Sequence, residues 1–419
     1  MALANFPTLI FEVGFNTDPT TELYLHFDDV ARGKWDTNTF APDLTFTDIS
    51  SKVHGFSTTR PSNRVAGPVL RFEAGSLSAD LNNTDRALDP TSNPDVSPNR
   101  VVRVRATWAG MTYNIWRGGA DSWLPGYIKG DSYASVTLDA TDGFKDLGNN
   151  IRAAVAAVGT GELSGARIDR VLTSAGWPTA DRIIDTGQTT LQSTILDGDA
   201  LSELQLVSDS EIGSLYMDGA GHVVFRDRHA NFNETRSNMS NGIFGDNLST
   251  ELPYYGIAPS FDDEQLINQA LITRNGGTQQ VSTDAASVSK NKIHGYEQSG
   301  LLMQTDTTAS DYAKFIVYMS KDSEYRFDSL TINPLADPAN LFPHVLGREI
   351  GDRITVRRRP PGGGSMIERD VLIVGINHDV DCRVGTWMTS WQLQSVAKQS
   401  FMVFDHATLG KWDSNAFAY

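Results

Sequence analysis

With 419 residues the chain exceeds one ordinary core, which implies roughly two to four units of about 100–150 residues and excludes a single small domain. Hydrophobic residues at 40% and charged residues at 21%, with 36 Gly and 17 Pro, describe a chain that folds and exclude a disordered or collagen-like one. Lys plus Arg number 35 against 51 Asp plus Glu, a formal charge of −16 that disfavours gripping nucleic-acid phosphate by bulk electrostatics, and the one cysteine, Cys382, excludes an intrachain disulfide and multi-thiolate metal sites.

Met1 to Phe15 carries no basic residue ahead of its short apolar stretch. No later segment approaches the roughly 18–20 apolar residues of a membrane helix, so neither a targeting segment nor stable membrane insertion is expected. Residues 1–45 read as an N-terminal arm. Its segment Phe27-Asp28-Asp29-Val30-Ala31-Arg32-Gly33-Lys34-Trp35-Asp36-Thr37-Asn38-Thr39-Phe40-Ala41 returns at the other end as Phe404-Asp405-His406-Ala407-Thr408-Leu409-Gly410-Lys411-Trp412-Asp413-Ser414-Asn415-Ala416-Phe417-Ala418, identical at nine of the fifteen positions. The copies are too short for a solenoid, so each reads as a strand, a Gly turn and a Trp anchor, either a surface hairpin or a docking element. Trp35, Asp36, Phe40, Trp412, Asp413 and Phe417 are the candidate docking residues, and 401–419 is the C-terminal docking motif.

Residues 46–148 read as a first β domain. Val102, Val104, Ala106 and Trp108 alternate with Arg103, Arg105 and Thr107, and Ala109-Gly110 turns the chain into a second strand through Tyr113, Ile115 and Gly118. Ser135 to Ala140 gives a third strand, and Asp142-Gly143 opens a short helix at Phe144 to Leu147. Residues 149–250 form an α+β insertion. Ile168, Val171, Leu172 and Ala175 fall at i, i+3, i+4 and i+7, with Gly176 and Pro178 as the stop. A second helix starts at Asp199 and ends near Gly213, followed by strands at Leu215-Tyr216-Met217 and His222 to Phe225.

Residues 251–400 read as a second β domain. It includes a helix near 310–320, capped by Ser310 with Tyr312, Phe315, Ile316 and Met319 on one face, and a strand from Phe327 to Ile332. Arg274 to Ser289, rich in Gly, Thr, Gln and Ser, is expected as an extended loop. Ile354, Val356 and Arg358 alternate, Pro360 to Gly364 forms a hairpin tip, Val371 to Ile376 returns, and Trp387 to Leu393 adds a strand. The expected fold is mainly β with an α+β insertion: two related β-barrel or sandwich domains plus peripheral domains.

The sequence offers no catalytic constellation. Its eight histidines form no His-Glu-x-x-His pair; His378 within Asn377 to Asp381 reads as part of a solvated strand end rather than a metal ligand. Gly159 to Gly165 departs from the dinucleotide fingerprint and is expected as a flexible loop. Asp262-Asp263-Glu264 and the Asp197/Asp199 pair suit a solvated face or a helix cap better than paired glycosidase carboxylates. Arg357, Arg358 and Arg359 form the dense basic cluster of this acidic chain; neighbours on a strand point to opposite faces, so they read as a solvated strand end or as a candidate contact for an acidic partner or neighbouring subunit. Trp108, Trp116, Trp387 and Trp391 are placed by alternation in β cores rather than on a sugar platform.

Several strings in order resemble the minor tail proteins of long-tailed bacteriophages, specifically the central baseplate or tail-tip hub (tail-associated) family. They are Phe46-Thr47-Asp48-Ile49-Ser50-Ser51-Lys52-Val53, Ala79 through Asn82-Asn83-Thr84-Asp85-Arg86 to Pro90, Trp116-Arg117-Gly118, and Leu138-Asp139-Ala140-Thr141-Asp142-Gly143. Ile168 to Leu172 with Ala175 to Pro178, Ser210 to Gly213, Ile350 to Val356 and the closing Phe404 to Tyr419 continue the series over nearly the whole chain. The resemblance implies a structural hub at the virion tail tip: two related β domains per subunit, a homotrimer forming a pseudo-sixfold ring, and adaptation of a sixfold tail to a threefold tip. The implied partners are the distal tail protein ring, the tape measure protein and other minor tail or receptor-binding proteins, with DNA passing through without specific binding. It implies no cofactor. Because the chain ends at Tyr419 directly after the terminal motif, a non-enzymatic protein is expected. A distal tail ring protein and a carbohydrate-binding or cell-wall-hydrolysing β protein are the alternatives.

Overall fold

The computed structural model describes residues 5–15, 45–63, 69–127, 134–152 and 159–396, with backbone at 401–402 and 416–417. Six strands build the first β unit: β1 (Thr8–Gly14), β2 (Val53–Arg60), β3 (Ser76–Asn82), β4 (Val101–Trp108), β5 (Met111–Tyr127) and β6 (Ala134–Thr141). Their antiparallel order is β2-β3-β6-β5-β4-β1. The β4 alternation does what its pattern requires, since Val102, Val104 and Ala106 are fully buried while Arg103 and Arg105 face outward. Ala109 and Gly110 both take positive φ (49° and 82°), the geometry whose twist matches a two-residue hairpin. Asp142 then caps α1 (Gly143–Asn149), accepting from Phe144 N at 3.0 Å and from Gly75 N at 2.6 Å.

The middle unit contains α2 (Ser164–Ser174), α3 (Ala200–Glu211) and the hairpin β7 (Ser214–Met217) with β8 (Val223–Arg226). Ile168, Val171 and Leu172 form the buried face of α2, as their spacing dictates, and Gly176 follows with φ +73°. Asp199 caps α3 by accepting from Ser202 N at 2.8 Å. Gly159 to Gly165 is not a free loop. Gly159 and Gly161 take positive φ, Glu162 and Leu163 form a short strand against Thr190–Leu191, and Glu162 is held by Arg167 and Arg170.

The second β unit has β9 (Ile243–Gly245) and β10 (Gly256–Ser260), and it resumes after an inserted α+β unit. That inserted unit is a three-stranded sheet of β11 (Gln269–Arg274), β12 (Gln280–Thr283) and β13 (Gly295–Leu301), with α4 (Ala285–Asn291) and α5 (Asp306–Ser320). It has a core of its own, including Ile272, Leu301, Met303, Tyr312 and Ile316. The expected loop over 274–289 is therefore corrected to a strand and a helix, the helix capped by Asp284 on Ser287 N at 2.8 Å. The α5 helix also begins earlier than expected: Thr305, not Ser310, accepts from Thr308 N, and the buried face includes Ala309, Ala313 and Val317 with Phe315 and Met319 only half-buried.

The chain returns through β14 (Arg326–Ile332), α6 (Pro338–Gly347), β15 (Arg353–Arg358), β16 (Ile367–Asp381) and β17 (Thr386–Ser395). The long β16 unites the molecule. One edge pairs first with β15 and then with β2 (Ile376 opposite Arg60, Asp381 opposite Gly55), while β17 runs along the other edge. The two β units thus share one 14-stranded sheet among the described residues.

Trp387 on β17 sits where the units meet. It is fully buried, with ring centroids of Phe6, Phe56, Phe342 and His378 at 5.7, 6.1, 5.9 and 5.9 Å. His378 corrects the expectation of a solvated strand end. It is buried, its Nδ1 lies 2.9 Å from Thr389 Oγ1, and it accepts from Trp387 Nε1 at 3.3 Å, whereas Asp379 points to the opposite, exposed face. Burial, helped by the charge of Arg60, pushes its pKa from the ordinary 6.5 down to about 3. The folded state refuses a proton that the unfolded chain accepts, so this contribution is whole above the ordinary imidazole value and is lost as pH falls below it. At about pH 4.5 the loss is on the order of 2–3 kcal/mol. His378→Gln removes the titration, so its stability deficit relative to the unchanged chain is expected to shrink by that amount between about pH 7.5 and about pH 4.5. Urea midpoints at the two pH values test this; an unchanged deficit would contradict it.

Candidate functional site

The sequence-derived candidates fall into two groups. Trp35, Asp36, Phe40, Trp412 and Asp413 lie outside the described residues, and Phe417 is described in backbone only, where Ala416–Phe417 pairs in parallel with Phe401–Met402.

Arg357, Arg358 and Arg359 lie at the end of β15 and just beyond it, with side chains engaged inside the chain. Arg357 donates to Glu368 (2.5 Å) and Glu251 (3.4 Å), and Arg358 reaches Asp246 at 3.4 Å. Arg359 donates to Asp246 (2.6 Å) and to both Glu251 oxygens (2.8 and 2.7 Å), with its backbone N–H on Asp246 at 2.8 Å. The Glu251 side chain is wholly inaccessible, and the hydrogen bonds from Arg359 lead in holding its pKa down to about 2. Three arginines thus meet three carboxylates and fasten the 246–251 segment to β15. The charge that sequence alone offers to an acidic partner is balanced locally.

A second polar cluster keys the middle unit to both β units. Glu349 pairs with the buried Arg60 of β2 and accepts from Gly219 N at 3.2 Å in the β7–β8 turn. Tyr216 donates to the Ile350 carbonyl at 3.2 Å, and Asp352 accepts from Arg236 at 2.8 Å and from Arg348 at 3.4 Å. Beside them opens a cleft of about 140 Å³ lined by Phe72, Tyr216, Arg236, Glu349, Asp352 and Val374. Its charges are already paired, which suits an internal joint better than a catalytic pocket.

Among the described residues no group of three His, Cys, Asp or Glu side chains is arranged to hold a metal ion. Trp116, Trp387 and Trp391 are at most 1% exposed, as the alternation required, and Trp108 is partly buried against Phe342 at 4.8 Å. None of the three buried rings is presented as a sugar platform. Asp262 takes Arg326 through both oxygens (2.8 and 2.9 Å), and Asp199 is a helix cap, so neither belongs to a carboxylate pair across a substrate groove.

No protein-family model and no curated protein matches this chain. Solved structures do. A tail protein from Neisseria meningitidis MC58 superposes with a TM-score of 0.56 at 12% identity, over 84% of this chain and 94% of that one. The 43 kDa tail protein of prophage MuSo2 from Shewanella oneidensis gives 0.55 at 14% identity, over 92% and 98%. The chain shares the fold of these tail proteins. The tail-protein fold extends over both β units and the units between them, and it agrees with the mainly β architecture expected from the sequence.

Proposed function

We propose that the chain is a structural component of a bacteriophage tail and, within the tail, the hub at its tip. The observation that carries this reading is the correspondence of fold with two tail proteins over nearly the full length of each. Two β units fused through one sheet supply what a threefold hub requires, since three copies then present six β units around an axis and can meet a sixfold tube. The excess of 51 acidic over 35 basic residues favours a passage that repels phosphate, so DNA moves through without being held. On this reading the protein works by assembly rather than by catalysis. It sits at the tail tip between the distal tail ring and tape measure protein on one side and receptor-binding or other minor tail proteins on the other.

The repeated terminal motifs are the docking arms of this reading, with Trp35 and Trp412 as their anchors. A chain carrying Trp35→Ala and Trp412→Ala is expected to fold with an unchanged melting temperature yet to enter assembling tails at least about tenfold less efficiently, because buried aromatic anchors dominate such contacts. Quantitative incorporation against the unchanged chain checks this, and equal incorporation would contradict the assignment. A distal tail ring protein is the second reading, favoured by the same fold correspondence and separated from the hub by copy number.

A further inference from the structure

On the outward face of the β4–β5 hairpin, Arg103 and Arg117 stand directly opposite each other in register, and Glu12 of β1 stands opposite Arg103 on its other side. Like charges directly across a strand pair oppose pairing unless a counter-charge compensates them. Glu12 is shared: Arg103 reaches it through Nε and Nη2 (2.6 and 3.2 Å), and Arg105 through the same two atoms (3.2 and 2.8 Å). Glu12 engages Nη1 of neither. Among the described residues Arg117 has only long contacts, 3.4 Å from Nη1 to Asp181 and 3.4 Å to the Ala220 carbonyl. Three cations therefore face two carboxylates, one of them at the limit of contact.

These arginines enclose a cavity of about 140 Å³ between the first β unit and the β7–β8 turn. Phe46 lies 3.5 Å from Arg103 Cζ and holds that guanidinium plane in place. A Cβ at Gly219 would stand 2.6 Å from the Asn114 carbonyl, so glycine lets the turn close the cavity against β5. Trp116 forms part of the wall. It is 1% exposed, and the register that sets it opposite Val104 places its ring on the core side of the sheet, behind the arginines. Half-buried, under-compensated arginines around an enclosed cavity are an arrangement completed by an anion.

We propose that this cavity binds a single oxyanion, either a free phosphate-type anion or a carboxylate, accepting from the three guanidinium groups. The proposal stands on this geometry alone and does not depend on the tail reading. Thermal unfolding of the full chain at matched ionic strength in phosphate, acetate or chloride tests it. Phosphate or acetate is expected to raise the melting temperature saturably where chloride does not. Arg117→Gln, and independently Arg105→Gln, is expected to raise the half-saturating concentration at least about tenfold. Arg383→Gln, in the turn between β16 and β17, should leave it unchanged. Saturation by phosphate below acetate assigns a free tetrahedral anion; saturation by acetate at or below phosphate assigns a carboxylate brought by an adjoining chain. Equal responses to all three anions, or titration of both arginine variants like the unchanged chain, would overturn the proposal.

Discussion

Replacing Trp387 by alanine is expected to destabilise the protein by about 3–5 kcal/mol, the usual cost of deleting a fully buried large aromatic ring. The ring touches an N-terminal residue (Phe6), the first β unit (Phe56), α6 (Phe342) and the second β unit (His378), so four separate parts of the chain lose a neighbour at once. Phe56 in turn packs edge-on to Phe11 at 6.2 Å, and Phe342 lies 4.8 Å from Trp108, which spreads the loss through the first unit. Collapse into the vacated space would have to move strands already fixed by the β2–β16 register, so little relaxation is available. Trp387→Phe, which keeps an aromatic ring, should cost markedly less. Urea unfolding followed by circular dichroism measures both; a loss below about 1 kcal/mol for alanine, or equal losses for the two variants, would contradict the role given to this residue.

Arg167→Ala is the second large effect, expected at about 3 kcal/mol or more. Arg167 is fully buried on α2 and reinforces the short pairing of Glu162–Leu163 with Thr190–Leu191. Its guanidinium pairs with Glu162, donates to Thr194 Oγ1, and donates to the Gly159 and Gln192 carbonyls at 2.9 and 3.0 Å. Alanine takes this donor from the Gln192 carbonyl and from Thr194 Oγ1, whereas the Gly159 carbonyl keeps Glu162 N at 3.3 Å and Glu162 keeps Arg170. The damage should therefore be local. Amides of α2 and of residues 190–194 are expected to exchange faster while those of β16 keep their protection. Arg167→Lys should recover little, because one ammonium cannot reproduce a planar fork serving several acceptors. Uniform acceleration across the chain, or a stability loss below about 1 kcal/mol, would contradict this account.

Elements with a strict local period were legible in the sequence. The β4–β5 hairpin follows from alternation plus a turn whose two residues accept positive φ, and α2 follows from its i, i+3, i+4, i+7 face. Local composition misled at 274–289, where Thr, Gln and Ser conceal a four-residue strand and a short helix lying half-exposed on a small sheet. The start of α5 was hidden because Asp306-Thr307-Thr308 form a polar first turn before the apolar face begins at Ala309. His378 resembled a turn residue because Asn377, Asp379 and Asp381 flank it, yet the strand period sends the imidazole inward and Asp379 outward.

Long-range pairing left still less trace. The β2–β16 register joins segments from opposite ends of the chain, and neither strand encodes its partner locally. The carboxylates that balance Arg357, Arg358 and Arg359 come partly from the 246–251 segment, so the arginines looked unmatched when read alone. The Arg103–Arg117 opposition was recoverable in principle: once Ala109-Gly110 is taken as the hairpin turn, counting outward brings the two close across the strand pair, and a one-residue irregularity between Val104 and Arg105 sets the final register.

The threefold hub proposed for this chain stands or falls on copy number in the assembled tail. Mass measurement of the tail-tip assembly, with direct imaging of its end-on view, is expected to give three copies of this chain around an axial opening, each contributing two β units to a six-membered ring. Six copies, or a chain that stays monomeric and joins no tail component, would contradict it.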